Sequence, residues 1–251
     1  MAKLADKRVV ITGSSSGIGA GVAVAFAAEG ADILVNYPGP EQEADAAAVC
    51  AEIEALGRRA FAIQADVSQQ DEVDHLVNTG YGKLGGFDIL VNNAGFAETV
   101  TADAMTVESW DQMIAVHLRS VFMMTRRILP LLYMQNWGKI INTASQLAYK
   151  GAPGYAHYTA AKAGIIGFTR SVALEVGARN VNVNCVAPGA TETPLLADVD
   201  DALLDAIKAS IPKGRFAEIA EIVPSYVFLA SEDARYYQGQ CLSPNGGDVF
   251  L

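Results

Sequence analysis

The sequence predicts an α/β fold in which a doubly wound sheet of about seven parallel strands carries helices on both faces. Short apolar runs rich in β-branched residues alternate with alanine-rich amphipathic stretches along the whole chain, which is typical of a parallel sheet buried between two helical layers. A length of 251 residues suits one α/β domain. Because no repeat, low-complexity segment or linker divides the chain, we expect a single domain over residues 1–251.

Seven runs are predicted as strands because each is short, apolar and bounded by turn residues. In chain order they are Arg8 to Thr12, Asp32 to Tyr37, Ala60 to Gln64, Ile89 to Asn92, Lys139 to Thr143, Asn180 to Val186 and Cys241 to Ser243. Since helical stretches separate these runs, parallel pairing is favoured.

Six stretches between the runs have the composition of helices. They begin after Gly17 and then cover Glu41 to Leu56, Asp71 to Thr79, Val107 to Gln135, Tyr155 to Ala178 and Ile219 to Ser231. The piece from Pro38 to Pro40 is predicted as a turn because it contains glycine and proline.

One long segment, Thr191 to Arg215, resembles an insertion. It follows the end of a predicted strand and the dipeptide Pro188-Gly189, and it carries the acidic residues Asp198, Asp200 and Asp201. We expect it to form a mobile lid over the site, because loops at strand ends often close over ligands.

The charge balance excludes some classes of partner. Lys and Arg total 18 against 28 Asp and Glu, a formal net charge of −10, which disfavours nucleic acid. Although 51% of the residues are hydrophobic, no run approaches the ~20 apolar residues of a membrane-spanning helix. Residues Met1 to Arg8 lack the apolar core of a secretory signal, so we expect a cytoplasmic protein with no membrane partner.

The three cysteines, Cys50, Cys185 and Cys241, are widely separated and odd in number. Their spacing predicts neither a disulfide framework nor a zinc site. We therefore expect small core residues and no bound metal.

A glycine-rich turn, Thr12-Gly13-Ser14-Ser15-Ser16-Gly17-Ile18-Gly19, follows the first predicted strand. Glycines at a strand-to-helix turn let the backbone approach a pyrophosphate closely, and the free N–H groups of the helix attract that anion. The spacing Gly-x-x-x-Gly-x-Gly differs from the general Gly-x-Gly-x-x-Gly pattern. The turn predicts a Rossmann-type dinucleotide site, and the alternative is a tight turn without a ligand. Its cofactor-binding residues would be Gly13, Ser15, Ser16, Gly17, Ile18 and Gly19.

Tyr158 and Lys162 lie one helical turn apart, with Ser145 upstream. Positions i and i+4 share a helix face, so the ammonium of Lys162 can stand beside the phenol. Because free tyrosine has a pKa of roughly 10, a neighbouring positive charge favours the phenolate and makes the side chain a useful acid or base. The pattern predicts a hydride-transfer site, although a surface helix can also carry this spacing by chance.

Further motifs stand in order along the chain: Asp66-Val67, Asn92-Asn93-Ala94-Gly95, Pro188-Gly189 and Gly246-Gly247. Together with the glycine turn, Ser145, Tyr158 and Lys162, they resemble the short-chain dehydrogenase/reductase family over essentially the entire chain. The resemblance implies an NAD(P)-dependent enzyme that transfers a hydride reversibly between a nicotinamide and a secondary alcohol or carbonyl. It also implies a homotetramer built by the two longest predicted helices and the C-terminal edges.

The inferred reaction gives each catalytic side chain a task. Tyr158 would exchange a proton with the substrate oxygen, and Ser145 would hold that oxygen. Lys162 would lower the pKa of the tyrosine and bind the ribose hydroxyls.

The resemblance also assigns residues to the cofactor. Asn93, Ala94 and Gly95 would lie along the adenosine ribose, and Asp66 and Val67 would flank the adenine. The other residues implied at the cofactor are Asn36, Tyr37, Tyr158, Lys162, Pro188, Gly189 and, at the nicotinamide end, Thr191 and Thr193. Other interpretations stay open, because Asn-Asn-Ala-Gly is also an ordinary strand-ending turn and Asp66 could cap the helix from Asp71.

His117 departs from the family pattern. Many members carry an asparagine at this position, which here is part of Val116-His117-Leu118, and that residue is thought to hold a water that relays protons to the lysine. Imidazole has both a donor and an acceptor nitrogen and can do the same. We therefore include His117 among the catalytic residues, and the alternative is that it fills space in the helix.

The sequence slightly favours NAD over NADP. An acid about 20 residues after the glycines usually binds the ribose of NAD, and a nearby arginine the phosphate of NADP, but the second strand ends in Asn36-Tyr37-Pro38. Ser16 stands where NADP-preferring relatives often carry a basic residue. Glu41 and Glu43 make the region acidic, which disfavours an additional phosphate.

The substrate is expected to be a small molecule. Motifs that include His157-Tyr158, Thr193-Pro194 and Ile211-Pro212 resemble glucose 1-dehydrogenases within the family, so a sugar, polyol or small ketone is preferred. Two alternatives stay open: a 3-oxoacyl-thioester reductase, which the overall pattern also resembles, and a non-catalytic dinucleotide-sensing scaffold.

Overall fold

Seven strands form one sheet in the order β3-β2-β1-β4-β5-β6-β7 in the structure, a computed structural model that describes residues 2–196 and 200–250. The strands are β1 (Arg8–Ile11), β2 (Asp32–Tyr37), β3 (Ala60–Gln64), β4 (Ile89–Asn92), β5 (Gly138–Thr143), β6 (Val181–Val186) and β7 (Cys241–Leu242). All neighbouring pairs are parallel. The order reverses between β1 and β4, and the predicted fold class is confirmed.

Nine α-helices accompany the sheet in the described part of the chain. They are α1 (Gly17–Ala28), α2 (Glu43–Ala55), α3 (Gln70–Leu84), α4 (Val107–Ile114), α5 (Ser120–Gln135), α6 (Leu147–Lys150), α7 (Ala156–Glu175), α8 (Asp201–Ser210) and α9 (Ile219–Ala230). Short 3-10 turns occupy Pro40–Gln42, Pro194–Leu196 and Glu232–Ala234.

Two apolar cores lie on opposite faces of the sheet. In β1, Val9 and Ile11 pack in the core formed with α1, α2 and α9, whereas Val10 packs in the core formed with α3, α5 and α7. Alternate residues of a strand point to opposite faces. A strand covered by helices on both sides is therefore largely apolar, as Val9 to Ile11 of β1 are. Strand β6 is an exception, because it alternates valine with Asn182 and Asn184, whose side chains donate to Tyr237 O.

The prediction of one continuous helix from Val107 to Gln135 is wrong at its middle. A π-helical turn over Ala115–Arg119 joins α4 to α5. In this turn His117 is only 2% exposed and its ring bonds to the backbone of Phe96. The contact between His117 and Phe96 stabilises the π-helical turn. The hydrophobic periodicity of the sequence does not reveal such a turn.

The predicted insertion contains the 3-10 turn Pro194–Leu196 and α8, which the sequence analysis did not identify. Asp200 caps α8 by accepting hydrogen bonds from two N–H groups of its first turn, at 3.0 and 3.3 Å. Thr191 and Ala217 form a bridge between the two ends of the segment. Asp198, which the sequence analysis placed on the lid, lies outside the described residues.

Within residues 2–196 and 200–250, no helix is both long and apolar enough to cross a membrane. The same residues hold no group of three or more His, Cys, Asp or Glu side chains that could bind a metal ion. Cys185 is buried as expected, whereas Cys50 and Cys241 are only half-buried, and all three are free thiols.

Candidate active site

The carboxyl ends of the strands bring the candidate catalytic residues together. Ser145 follows β5, and Tyr158 and Lys162 lie on α7, which packs against β5 and β6. The carboxyl ends of parallel strands share one edge of the sheet, and a crevice opens where the strand order reverses. The fold therefore places these side chains at the edge where such sheets bind ligands.

Close contacts hold the three side chains. The Ser145 hydroxyl accepts a hydrogen bond from Leu147 N at 3.1 Å. The Lys162 ammonium donates to Thr143 O at 2.7 Å and lies 5.6 Å from the centre of the Tyr158 ring. Because Leu147 N uses a lone pair of Ser145, the serine proton is free to be donated to Tyr158 or to a substrate oxygen.

Burial changes the protonation of the site. Loss of water around the Tyr158 hydroxyl raises its pKa, and the interaction with Ser145 offsets part of that rise. Lys162 is 4% exposed, and this burial lowers its pKa to about 7. The sequence analysis expected a charged lysine that favours the phenolate. Burial instead raises the pKa of the phenol and lowers that of the lysine, because the ammonium has lost its water.

His117 lies against Tyr158. The two rings meet edge-on with centroids 5.2 Å apart, and burial lowers the pKa of His117 well below its usual value, so the imidazole is neutral. Nε2 lies 2.9 Å from Phe96 O and 3.1 Å from Phe96 N, so either tautomer finds a partner there. Nδ1 is buried and has no hydrogen-bond partner among the described residues. It is the ring atom left for a proton relay.

Gly95 makes room for this imidazole. A Cβ atom at Gly95 would lie 2.3 Å from His117 Cε1 and 2.8 Å from His117 Nδ1, far inside van der Waals contact. The sequence analysis expected Gly95 at the cofactor ribose. The structure adds that a larger side chain at Gly95 would displace His117.

The glycine turn adopts a backbone conformation that residues other than glycine rarely adopt. Gly13 and Gly17 have φ angles of +59° and +57°, which favour glycine. A Cβ at Gly19 would lie 2.3 Å from Gly13 O, and one at Gly13 would lie 2.7 Å from Ala94 Cα. The turn therefore packs directly on the end of β4.

The first turn of α1 is suited to an anion. Ser16 precedes the helix without making a side-chain cap, and the first helical turn contains no acidic residue. Ser15 is buried, Ser16 is exposed and Ile18 packs against the core. The N–H groups and the positive dipole end of the helix therefore fit a pyrophosphate.

Thr12 is a site residue that the sequence analysis missed. Its hydroxyl accepts hydrogen bonds from Asn93 N and Ala94 N at 3.0 and 3.1 Å. The Asn93 side chain donates to Thr12 O and Gly13 O at 3.1 and 2.8 Å. These bonds join the glycine turn to the residues after β4. A polar residue at the end of an otherwise apolar run is the signal that could have identified Thr12.

Asn36 and Tyr37 end β2 next to the glycine turn, and both are buried. The Asn36 side chain accepts a hydrogen bond from Gly13 N at 3.0 Å and donates one to Ala65 O at 2.9 Å. Its polar atoms are thus bonded within the protein. Asn36 fixes the position of the glycine turn.

Asp66 and Val67 form a turn after β3. The Asp66 carboxylate accepts hydrogen bonds from the backbone N–H and the hydroxyl of Ser68, both at 2.9 Å, and Val67 is buried. Helix α3 begins at Gln70 with Gln69 as its N-cap residue. The alternative that Asp66 caps this helix is therefore wrong, because its carboxylate closes the preceding turn.

The segment after β6 connects both halves of the site. The carbonyl oxygen of Pro188 accepts a hydrogen bond from Gln146 N at 3.0 Å. The carbonyl oxygen of Gly189 accepts one from the Thr191 hydroxyl at 2.9 Å. A Cβ at Gly17 would lie 3.8 Å from the side chain of Thr193. The residues expected at the nicotinamide end thus lie between the catalytic serine loop and the glycine turn.

Comparison with known proteins finds relatives along nearly the whole chain. The family model described as enoyl-(acyl carrier protein) reductase matches residues 13–248. The chain is similar to the 3-oxoacyl-[acyl-carrier-protein] reductase FabG of Staphylococcus epidermidis, at 39% identity over 242 residues that cover 96% of this chain and 98% of the relative. It is also similar to the 3-oxoacyl-[acyl-carrier-protein] reductase of Synechocystis sp., at 40% identity across 100% of both chains.

Solved structures share the fold at high similarity. A protein described as a short-chain alcohol dehydrogenase from Sinorhizobium meliloti 1021 superposes with a TM-score of 0.93 at 34% identity, covering 98% of this chain and 97% of the other. A short-chain type dehydrogenase/reductase from Mycobacterium marinum gives a TM-score of 0.92 at 31% identity, covering 99% and 98%.

Proposed function

Because the chain belongs to the short-chain dehydrogenase/reductase family, we propose that this oxidoreductase reduces the 3-oxo group of acyl thioesters with hydride from a nicotinamide dinucleotide. The observation that carries the proposal is the nearly full-length similarity to 3-oxoacyl-[acyl-carrier-protein] reductases at 39% and 40% identity. The same similarity favours the thioester alternative over the sugar, polyol or small ketone that the sequence analysis preferred.

Two hydroxyl groups support the reduction of a carbonyl. Ser145 would donate a hydrogen bond to the carbonyl oxygen, which orients the substrate and stabilises the negative charge that develops there. Tyr158 would transfer its proton to the same oxygen, since its raised pKa keeps the phenol protonated at neutral pH. A bound nicotinamide supplies the hydride to the carbonyl carbon. The product is a 3-hydroxyacyl thioester.

Lys162 and His117 would restore the proton that Tyr158 gives up. Lys162 has a pKa of about 7, so it can both hold and release a proton at neutral pH. His117 contacts the Tyr158 ring and keeps Nδ1 without a partner among the described residues. The pair would therefore provide a path for protons to the phenol.

The glycine turn and α1 would bind the pyrophosphate of the nicotinamide dinucleotide, and NAD is the proposed form. Strand β2 ends in the uncharged residues Asn36 and Tyr37, and the carboxylates of Glu41 and Glu43 follow. A 2′-phosphate would meet negative charge there. The comparisons give no support to this preference, which rests on the charges alone.

Coenzyme absorbance tests the substrate class. The purified protein is assayed with acetoacetyl thioesters of coenzyme A and of acyl carrier protein, with crotonyl thioesters as a probe of enoyl reduction, and with aldoses, polyols and cyclic ketones. The thioesters and ketones are assayed with NADH and NADPH, and the aldoses and polyols with NAD and NADP, each pair at equal concentration. We expect kcat/KM for the acetoacetyl thioesters to be highest by about tenfold or more. A higher value for an aldose or a crotonyl thioester would overturn the substrate class, and a tenfold preference for NADPH would overturn the choice of NAD.

The Tyr158→Phe variant tests the proton donor. It removes the phenol hydroxyl and keeps the ring, so we expect turnover to fall by roughly 10² to 10⁴ while coenzyme affinity stays within twofold. A variant that keeps its turnover would remove Tyr158 from the mechanism. The scaffold alternative loses its basis, because the family assignment makes the chain an oxidoreductase.

A further inference from the structure

The C-terminal tail reaches the loop that carries the catalytic serine. One oxygen of the Asp248 carboxylate accepts a hydrogen bond from Gln146 Nε2 at 2.6 Å and another from Lys150 Nζ at 2.5 Å. The Asp248 side chain is only 5% exposed, and Lys150 is 32% exposed. A carboxylate that has lost its water and has two donors is held firmly, since charge-assisted hydrogen bonds are the stronger kind.

The two donors stand at opposite ends of α6. Gln146 precedes this four-residue helix and Lys150 ends it. None of the four residues of α6 is fully buried, although Ala148 and Tyr149 pack partly against the apolar cluster that contains Ile165 of α7. The Asp248 contacts therefore tie both ends of α6 to one point on the tail.

The position of α6 determines the hydrogen bond at Ser145. The first N–H group of the helix, that of Leu147, donates to Ser145 Oγ at 3.1 Å. This bond leaves the serine proton for another acceptor, and Ser145 lowers the pKa of Tyr158. A shift of α6 would thus move the hydroxyl that is proposed to hold the substrate oxygen.

We propose that Asp248 is a positioning residue of the active site, which fixes Gln146 and Lys150 and thereby holds Leu147 N–H against Ser145. The inference rests on the proposed role of Ser145 in carbonyl reduction. It does not depend on whether the carbonyl belongs to a thioester or to another ketone.

Among the described residues, the Gln146 side chain has no hydrogen-bond partner other than Asp248. Gln146 N donates to Pro188 O at 3.0 Å, which fixes only the backbone at the start of the loop. The side-chain oxygen of Gln146 is buried without a partner among the described residues, so Asp248 is what orients the amide. Removal of the carboxylate would leave the buried amide and the ammonium of Lys150 without their acceptor, which favours rearrangement of the loop.

The experiment compares Asp248→Ala and Asp248→Asn with the wild-type protein. Asn keeps an acceptor of the same shape for Gln146 and loses the charge opposite Lys150, so we expect kcat to fall roughly threefold in Asp248→Asn and roughly tenfold or more in Asp248→Ala. Coenzyme affinity and the number of coenzyme sites per chain should stay within twofold. Asp233→Ala serves as the matched control, because Asp233 also pairs with a lysine, Lys3, at 2.7 Å but is exposed.

The pH profile separates positioning from a merely structural role. The interaction with Ser145 lowers the pKa of Tyr158, so a displaced serine lets that pKa rise. In the oxidation direction, which needs the phenolate, the acid limb of kcat/KM should move to higher pH by about half a unit to one unit in Asp248→Ala. A variant that only loses folded protein has a lower kcat/KM at every pH, but its acid limb stays at the same pH.

The outcomes distinguish this inference from the proposed function. Asp248 variants with wild-type kcat and an unmoved pH limb would overturn the positioning role while the proposed function stands. An equal loss in Asp233→Ala would also overturn it. A wild-type protein that reduces no carbonyl compound in the panel would overturn the proposed function and this inference together.

Discussion

Lys162 shows how burial sets the chemistry of a single side chain. Its pKa is lowered to about 7, against roughly 10.4 in an unfolded chain. Between these values the unfolded state binds one more proton than the folded state, so the free energy of unfolding rises with pH. Below pH 7 the lysine is charged in both states, and the folded protein bears the full cost of the buried ammonium.

The link between proton binding at Lys162 and stability can be tested with Lys162→Met, because methionine binds no proton. Relative to this variant, the wild-type protein should gain stability as pH rises from about 7 to about 10, by at most about 1.4 kcal/mol per pH unit. Urea unfolding of both proteins at several pH values measures the difference. Parallel stability curves would show that Lys162 keeps its ordinary pKa.

His117 is tested by a pair of substitutions. His117→Ala removes Nδ1 and the contact with the Tyr158 ring, so we expect turnover to fall about tenfold or more with little change in coenzyme binding. His117→Asn introduces the residue that many family members carry and should retain more turnover than the alanine variant. Steady-state assays and coenzyme titration provide the comparison. Equal turnover in wild type and His117→Ala would favour the space-filling interpretation.

The sequence was informative at the residue scale where partners are close along the chain. Tyr158 and Lys162 could be paired because helical geometry relates positions i and i+4. The low pKa of Lys162 could not be predicted, because it depends on burial by the whole fold. The contact between Gln146 and Asp248, which spans 102 residues, has no local pattern at all.

At the scale of elements, the glycine turn and α1 act as one binding unit. A Cβ at Gly19 would meet Gly13 O at 2.3 Å and Asn93 Nδ2 at 2.5 Å. We therefore expect Gly19→Ala to displace the turn and weaken coenzyme binding by about tenfold or more, as measured by fluorescence titration.

Gly82→Ala is the matched control for this substitution. Gly82 also lies in a helix, α3, but no atom lies within 4 Å of the position of its Cβ. This variant should keep wild-type coenzyme affinity and gain about 0.5–1 kcal/mol of stability, because alanine favours helix. If Gly19→Ala and Gly82→Ala change coenzyme affinity equally, a steric clash at Gly19 does not explain the loss of binding.

The role of the segment 191–215 as a lid stays a prediction. Helix α8 has no buried residue, whereas the bridge between Thr191 and Ala217 holds the ends of the segment together. We expect trypsin to cut first near the exposed Lys208, and bound coenzyme with a 3-hydroxyacyl thioester should slow this cut several-fold. Limited proteolysis followed by mass spectrometry identifies the site. Equal cutting rates with and without ligands would contradict a closing lid.

The elements themselves were largely predictable, and the exceptions have physical causes. All seven strands lie where the apolar runs predicted them, because burial on both faces favours a largely apolar sequence. The π-helical turn at Ala115–Arg119 could not be read from periodicity, since it depends on the contact between His117 and the backbone of Phe96. Helix α6 escaped notice because four residues are too few to show a period.

At the scale of the whole molecule, several large apolar side chains remain exposed. Leu174 of α7 is 85% exposed and Met134 of α5 is 75% exposed, whereas Val121 of α5 packs inside the chain. Phe122 on the same helix is 47% exposed. Exposed apolar side chains on the predicted interface helices support the predicted homotetramer.

Light scattering tests this oligomeric state. We expect a mass about four times the 26.5 kDa of one chain, and a smaller species for Phe122→Glu, since a buried charge would destabilise the interface. Leu56→Glu is the control, because Leu56 is also 47% exposed but ends α2. A monomeric wild-type protein would contradict the prediction, and so would dissociation by the control.

The tie between the serine loop and Asp248 also has a consequence for biosynthesis. The loop leaves the ribosome with its anchor still about 100 residues behind, a delay of roughly 5 to 20 seconds at ordinary translation rates. The nascent polypeptide can therefore form most of its sheet before Asp248 is available to position the Ser145 hydroxyl. We expect the newly made enzyme to become active only after Asp248 has left the ribosome.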